Sequence, residues 1–166
     1  MLKYAIIVAG GTGKRMGGTL PKQFMLLKDK PVLYYTIKAF LDAYEDMQVV
    51  LVLPVEYMDM GQEIIDAYFD KDRIHIAAGG DTRFQSVKNG LQLIEGESII
   101  FVHDGVRCLL TPDLIRRCYD HSIDNGNAIP APQAAGEVHP DSWGRVSGRI
   151  SRAHDLASGA ASAPRF

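Results

Sequence analysis

The sequence contains little that would direct the chain to a membrane, to the cell exterior or to nucleic acid. It has no apolar run of transmembrane length, and the apolar stretch after Lys3 is too short for the core of a secretory signal. A net charge of −2 favours neither nucleic acid nor a membrane surface as a partner. The two cysteines, Cys108 and Cys118, have no Cys or His at metal-ligand spacing and are typical of reduced thiols. These absences predict a soluble, cytoplasmic protein.

What the chain does have is enough apolar residues for one core. With 166 residues, 46% of them hydrophobic, it can form one domain but hardly two. Apolar runs of strand length alternate with apolar positions at helical spacing. The predicted strands are Tyr4–Ala9, Val49–Leu53, Arg73–Ala77, Ser98–His103 and Ala128–Ala131, and the predicted helices are Val32–Tyr44, Tyr57–Phe69, one with Phe84, Val87, Leu91 and Ile94 on its apolar face, and Pro112–Asn125. This order predicts an α/β fold, a three-layer α/β/α sandwich with a mostly parallel sheet.

Three polar segments follow the ends of predicted strands, at residues 10–22, 79–86 and 103–107. In parallel sheets, ligands bind beyond the carboxyl ends of the strands. We therefore expect all three segments to lie on one edge of the sheet.

The first segment combines glycines with cations. Glycine lets backbone N–H groups approach an anion closely, and neighbouring cations suit a polyphosphate. The residues concerned are Gly10, Gly11, Gly13, Lys14, Arg15 and, after Pro21, Lys22. An ordinary strand-to-helix turn with a solvated basic face would account for the glycines alone. The added cations favour a phosphate-binding loop.

Two familiar phosphate-binding loops do not fit this segment. A Walker A loop requires Ser or Thr after its Gly-Lys pair, whereas Arg15 follows Lys14. The dinucleotide fingerprint GxGxxG, started at Gly11, has Met16 where its third glycine belongs. The loop therefore belongs to a different kind.

The second segment, GGDTRFQS at residues 79–86, joins a strand to a helix. Asp81 or Thr82 can cap that helix, and capping by itself would explain the composition. The alternative is a base-recognition loop, in which backbone carbonyls and a hydroxyl such as that of Ser86 distinguish cytosine from uracil. The segment alone leaves both interpretations open.

The third segment, HDGVR at residues 103–107, places a carboxylate at the end of a strand. Mg²⁺ is commonly bound by one or two carboxylates together with substrate phosphates. Asp104 is therefore a candidate magnesium ligand, although an ion pair between Asp104 and Arg107 is the structural alternative. His103 is expected to be a hydrogen-bonded, partly buried histidine and not a catalyst.

Taken together, the motifs GGTGKRMG…PKQF, GGDxRxxSVxxGL and VHDGVR resemble those of nucleotidyltransferases that act on sugar phosphates. Within this group they look most like the 2-C-methyl-D-erythritol 4-phosphate cytidylyltransferases of isoprenoid precursor biosynthesis. The motifs occur in the expected order and spacing over residues 1–132. The resemblance implies a Rossmann-like sandwich of the nucleotidyltransferase type, with residues 1–132 as its core.

The resemblance also implies a reaction. The phosphate of methylerythritol phosphate would attack the α-phosphorus of CTP and expel pyrophosphate, with no covalent enzyme intermediate. Positioning and electrostatic stabilisation would carry the catalysis. The implied site residues are Arg15 and Lys22 at the CTP phosphates as catalytic residues, Ala9, Gly10, Gly11, Gly13, Gly80, Asp81 and Ser86 around the nucleotide, Asp104 at Mg²⁺, and Arg107 at the sugar phosphate.

The sequence departs from the resemblance after residue 132. Gln133–Phe166 lacks the family's dimer arm and later motifs, is rich in Ala, Ser and Gly, and has no clear periodicity. This composition predicts a divergent, poorly structured tail, in which the family's homodimer contacts are not recognisable. We expect the reading frame to depart from the family near Pro132, which sequencing the encoding DNA tests.

Other functions remain open from the sequence. A ribitol 5-phosphate cytidylyltransferase would share all three motifs. A CTP-binding module inactivated by its altered C-terminal part is a second alternative, and an α/β domain with no nucleotide role is the third.

Overall fold

The computed structural model describes residues 1–11 and 20–130. Their strands are β1 (Leu2–Val8), β2 (Leu26–Leu27), β3 (Lys30–Pro31), β4 (Met47–Leu53), β5 (Ile74–Ala78) and β6 (Ser98–Asp104). Their helices are α1 (Val32–Ala43), α2 (Met58–Tyr68), α3 (Arg83–Leu91) and α4 (Pro112–Asn125), with 3₁₀ turns at Lys22–Phe24, Val55–Tyr57 and Lys71–Arg73. In these ranges no helix has the length and apolarity needed to cross a bilayer.

The central sheet is parallel throughout the described ranges, in the order β5-β4-β1-β6. Its inner strands β1 and β4 are almost fully apolar because helices cover both of their faces. Side chains alternate across the sheet: Ala5 and Ile7 pack with α1, α2 and α4, whereas Ile6 lies in the cluster on the side of α3. The predicted parallel α/β/α architecture is confirmed.

Local signals set the limits of the helices. The Thr111 hydroxyl accepts a hydrogen bond from the backbone N–H of Leu114, and Pro112 occupies the first turn, so α4 begins there. The helix ends at Gly126, whose φ of 84° suits a residue without a Cβ. The prediction of this helix as Pro112–Asn125 is confirmed residue for residue.

Two details of the sequence prediction are wrong. Residues 128–130 do not form the expected fifth strand, and residue 131 lies outside the described residues. The helix predicted from Phe84 to Ile94 ends at Leu91, and Phe84 is 77% exposed instead of facing the core. Phe84 is the second residue of α3, directly after the loop that follows β5, and apolar spacing alone does not bury it.

Candidate active site

Backbone hydrogen bonds hold the ends of the parallel strands together. The N–H of Ala9 donates to the carbonyl of Val52 at 2.9 Å, and the N–H of Gly105 donates to the carbonyl of Val8 at 2.8 Å. On the other side, the N–H of Gly79 donates to Leu53 at 2.7 Å. The three sequence segments therefore start at the same edge of the sheet, as predicted, with the end of β4 between the first and the second.

The glycine loop begins at the centre of that edge. Ala9 is buried, whereas Gly10 and Gly11 are exposed. A Cβ built on either glycine would meet no atom of the described residues within 4 Å, so packing against these residues does not require glycine here. An open backbone of this kind is accessible to a ligand. The predicted site residues Gly13 and Arg15, with Lys14 between them, lie outside the described residues.

Gln23 holds the glycine loop from beneath. Its side chain is almost fully buried, and its amide Nε2 donates to the carbonyl of Ala9 at 2.7 Å and to that of Gly11 at 3.4 Å. Sequence reasoning assigned no role to this residue, although it lies within the PKQF motif. The available signal was a polar residue next to an aromatic one, Phe24, in the segment that follows the glycine loop.

Lys22, the residue before Gln23, is exposed to solvent. Pro21 and Phe24 on either side are buried, and the Phe24 ring packs against Tyr57 with 5.6 Å between centroids. The 3₁₀ turn of this segment thus anchors its neighbours and leaves Lys22 exposed. Because Gln23 contacts the glycine loop, Lys22 is held close to that loop.

The loop after β5 is shaped by two hydroxyl groups. Thr82 is the N-cap of α3 and accepts a hydrogen bond from the N–H of Gln85, so Asp81 is left exposed and outside the cap. The buried Ser86 hydroxyl accepts from the N–H of Gly80 at 3.1 Å and donates to the carbonyl of Thr82 at 3.0 Å. In this state Ser86 orders the loop, and its contact with a base stays a prediction.

Asp104 ends β6 between two arginines. Its Oδ1 accepts from Arg83 Nε at 3.0 Å and its Oδ2 accepts from Arg107 Nε at 2.9 Å. Burial raises the pKa of Asp104, but the two guanidinium groups outweigh this effect and the pKa is lowered overall. The ion pair of Asp104 with Arg107, which the sequence analysis gave as the structural alternative to a magnesium site, is present, and Arg83, to which sequence reasoning gave no role, joins it.

The residues on either side of Asp104 are fixed by the core. The His103 ring is half-buried, lies 5.5 Å from the Phe40 ring and hydrogen-bonds the carbonyl of Arg107 at 3.0 Å, which confirms its predicted structural role. The buried Thr36 hydroxyl of α1 donates to the carbonyl of Gly105 at 2.8 Å. The carboxylate of Asp104 thus projects from a rigid turn.

The described residues do not by themselves form a complete metal site. Within residues 1–11 and 20–130, no three His, Cys, Asp or Glu side chains are grouped closely enough to hold a metal. Mg²⁺ can be held by one carboxylate when phosphates and water supply its other ligands, but both oxygens of Asp104 accept from arginines in this state, so its role at a magnesium ion stays a prediction.

Comparison with known proteins points to one family. The sequence model of the IspD family, 2-C-methyl-D-erythritol 4-phosphate cytidylyltransferase, matches residues 3–141. Curated relatives of that name include those of Phocaeicola vulgatus, 45% identical over 130 residues, and Bacteroides fragilis, 46% identical over 131 residues. Each of these alignments covers 78% of this chain and 59% of the relative.

A solved structure gives the same result. The 4-diphosphocytidyl-2C-methyl-D-erythritol synthase of Anaerococcus prevotii superposes with a TM-score of 0.62 at 26% identity, covering 75% of this chain and 52% of that one. The chain described here thus spans about three fifths of the length of the curated relatives it matches. Given the family match over residues 3–141, the chain belongs to the 2-C-methyl-D-erythritol 4-phosphate cytidylyltransferase family.

Proposed function

We propose that this protein transfers CMP from CTP to 2-C-methyl-D-erythritol 4-phosphate and releases pyrophosphate. A phosphate oxygen of the acceptor forms a bond to the α-phosphorus of CTP, and the bond from that phosphorus to the pyrophosphate oxygen breaks. Because the two substrates react directly, the protein needs to align them and to stabilise the developing charge.

One observation carries the proposal. The glycine loop and the turn after β6 start from the neighbouring strands β1 and β6, the loop before α3 starts from β5 at the same edge with β4 in between, and Gln23 supports the glycine loop. One edge of the sheet thus carries the exposed glycines of the first loop, the exposed Lys22, and the two arginines that pair with Asp104. Backbone N–H groups and cations gathered in this way suit a triphosphate.

The cations are assigned to the phosphates. Arg15 and Lys22 contact the CTP phosphates and stabilise charge at the α-phosphorus, with the planar guanidinium of Arg15 suited to dispersed charge. Asp104 holds Mg²⁺, which when bound neutralises phosphate charge. Arg107 positions the acceptor's phosphate.

The loop before α3 is assigned to the base. Gly80, Asp81 and Ser86 line the cytosine pocket, and Ala9, Gly10, Gly11 and Gly13 lie along the nucleotide. A base with the wrong polar edge leaves groups in this loop unpaired, which costs about 1–3 kcal/mol for each group. The resemblance implies a homodimer, but the family's dimer arm is not recognisable in this chain. The proposal includes a cytoplasmic location, with which the two free cysteines agree.

The test is Mg²⁺-dependent pyrophosphate release from CTP, with methylerythritol phosphate and ribitol 5-phosphate offered separately. Release with methylerythritol phosphate alone supports the proposal, and release with ribitol 5-phosphate alone reassigns the acceptor. Binding of CTP without release with either acceptor identifies a nucleotide-binding module. Absence of CTP binding by calorimetry rejects a role in cytidylyl transfer.

A further inference from the structure

Asp104 has no oxygen left without a cationic partner. Arg83 Nε lies 3.0 Å from Oδ1 and Arg107 Nε lies 2.9 Å from Oδ2, and the carboxylate side chain is 29% exposed. Two guanidinium groups therefore surround the atoms that a metal would need.

The two arginines reach Asp104 from different parts of the fold. Arg107 lies three residues after Asp104 in the same turn, and its backbone N–H donates to the carbonyl of Asp104 at 3.0 Å, so the turn itself keeps the two residues together. Arg83 is the first residue of α3 and reaches Asp104 from the loop assigned to the base. Its side chain is 60% exposed, so it can leave Asp104 without disturbing the core.

A small cation competes poorly for such a carboxylate. Mg²⁺ must approach an oxygen to about 2.0–2.1 Å, and both guanidinium groups repel it there. A triphosphate changes this balance, because its oxygens offer Arg83 a second anionic partner and supply ligands to the metal.

We propose that Arg83 is a positioning residue that occupies Asp104 in the nucleotide-free protein and releases it only when a polyphosphate enters, so that metal and nucleotide bind as one unit. This inference rests on the proposed function for the identity of the polyphosphate. The proposal also couples the loop assigned to the base to Asp104, because Arg83 lies at the start of α3, directly after that loop.

The experiment titrates Mn²⁺, as a paramagnetic substitute for Mg²⁺, into the nucleotide-free protein and measures the free ion by electron paramagnetic resonance. Arg83→Gln is expected to bind Mn²⁺ about twofold to fivefold more tightly than the parent protein, as expected for loss of one partly exposed ion pair. The matched control is Arg117→Gln on α4, an exposed arginine with no described contact to Asp104, which is expected to leave the affinity unchanged.

Two further measurements separate this role from a structural one. Adding Asp104→Asn to Arg83→Gln is expected to abolish the gain, and adding CTP is expected to remove the difference between the parent and Arg83→Gln. Unchanged or weaker Mn²⁺ binding by a folded Arg83→Gln protein overturns the inference, as does an equal gain in Arg117→Gln. If Arg83→Gln does not fold, Arg83→Lys replaces it and is expected to show a smaller gain in the same direction.

The outcomes remain distinguishable from those of the proposed function. A protein that fails to bind CTP contradicts the cytidylyl transfer, whereas the Mn²⁺ comparison without nucleotide still reports whether Arg83 shields Asp104.

Discussion

The Gln23 side chain donates a hydrogen bond of 2.7 Å to the carbonyl oxygen of Ala9, in a place where both residues are buried. A buried carbonyl that loses its donor costs more than the bond itself contributes, because water does not replace the donor. One glutamine amide thus fixes the point at which the glycine loop leaves the sheet.

We expect Gln23→Met to lower the free energy of unfolding by about 1–3 kcal/mol, because the shape is kept while the donor is lost. Urea denaturation followed by circular dichroism measures this change. The control is Gln62→Met on the surface of α2, whose amide bonds Asp66 in an exposed position. It is expected to change stability by at most about 0.5 kcal/mol. Equal effects of the two substitutions would contradict the role of Gln23.

A pair of glycine substitutions separates packing from ligand access. A Cβ on Gly105 would lie 2.9 Å from Ala9 Cβ and 3.2 Å from Leu33 Cδ1, so Gly105→Ala is expected to cost about 1–3 kcal/mol of stability. A Cβ on Gly10 meets no described atom, so Gly10→Ala is expected to keep its stability and to weaken CTP binding. Thermal unfolding and calorimetry with CTP test both, and a Gly10→Ala protein with unchanged CTP affinity would argue against ligand contact at this loop.

Lys22 is expected to affect the nucleotide and not the fold. Lys22→Gln removes an exposed charge beside the glycine loop, so CTP affinity is expected to fall about tenfold or more, as for loss of a charge-assisted hydrogen bond. Lys71→Gln is the matched control, because Lys71 is an exposed lysine in a 3₁₀ turn just before β5, at the amino ends of the strands. Equal losses of affinity in both variants would point to general charge attraction.

The pair of Lys3 and Asp46 predicts a dependence of stability on pH. Asp46 accepts a hydrogen bond of 2.7 Å from Lys3 Nζ, and this bond lowers the pKa of Asp46. Burial raises the pKa by a smaller amount, so the pKa is lowered overall. The pair therefore stabilises the fold above the ordinary pKa of Asp46, 3.8, and this contribution is lost as the pH falls through the lowered value.

The measurement compares the parent protein with Asp46→Asn by urea unfolding at several pH values. Asp46 is about half exposed, so we expect a difference of only about 0.2–1 kcal/mol near pH 7, smaller in high salt and absent at the acid end. Glu45→Gln, which removes the neighbouring carboxylate, controls for the loss of one negative charge. If the free energies of unfolding of the parent protein and Asp46→Asn differed by the same amount at acid pH as near pH 7, the ion pair would not be the cause of the difference.

Several parts of this protein could be predicted from the sequence because they depend on local signals. The apolar run of β4 is buried along nearly its whole length, as expected for a strand covered on both faces, and the Thr111-Pro112 start and the Gly126 end define α4 through capping and backbone geometry. The placement of three motifs on one edge followed from the alternation of strands and helices. The boundary near residue 132 and the nature of residues 133–166 lie outside the described residues and stay predictions.

Other features could not be predicted because they depend on contacts between distant residues. Nothing near Arg83 in the sequence indicates that it reaches Asp104, which is 21 residues away and follows another strand. The exposure of Phe84 has the same origin, since the spacing of apolar residues does not show which of them the tertiary structure covers.

The sequence by itself determined the parallel α/β architecture and the edge on which the candidate residues gather, because apolar periodicity and caps act within a few residues. Only the tertiary structure decided which side chains meet there. Gln23 beneath Ala9 and Arg83 on Asp104 depend on strand order and on the distance between loops, and hydrogen bonds and ion pairs form only when these bring the partners to about 3 Å.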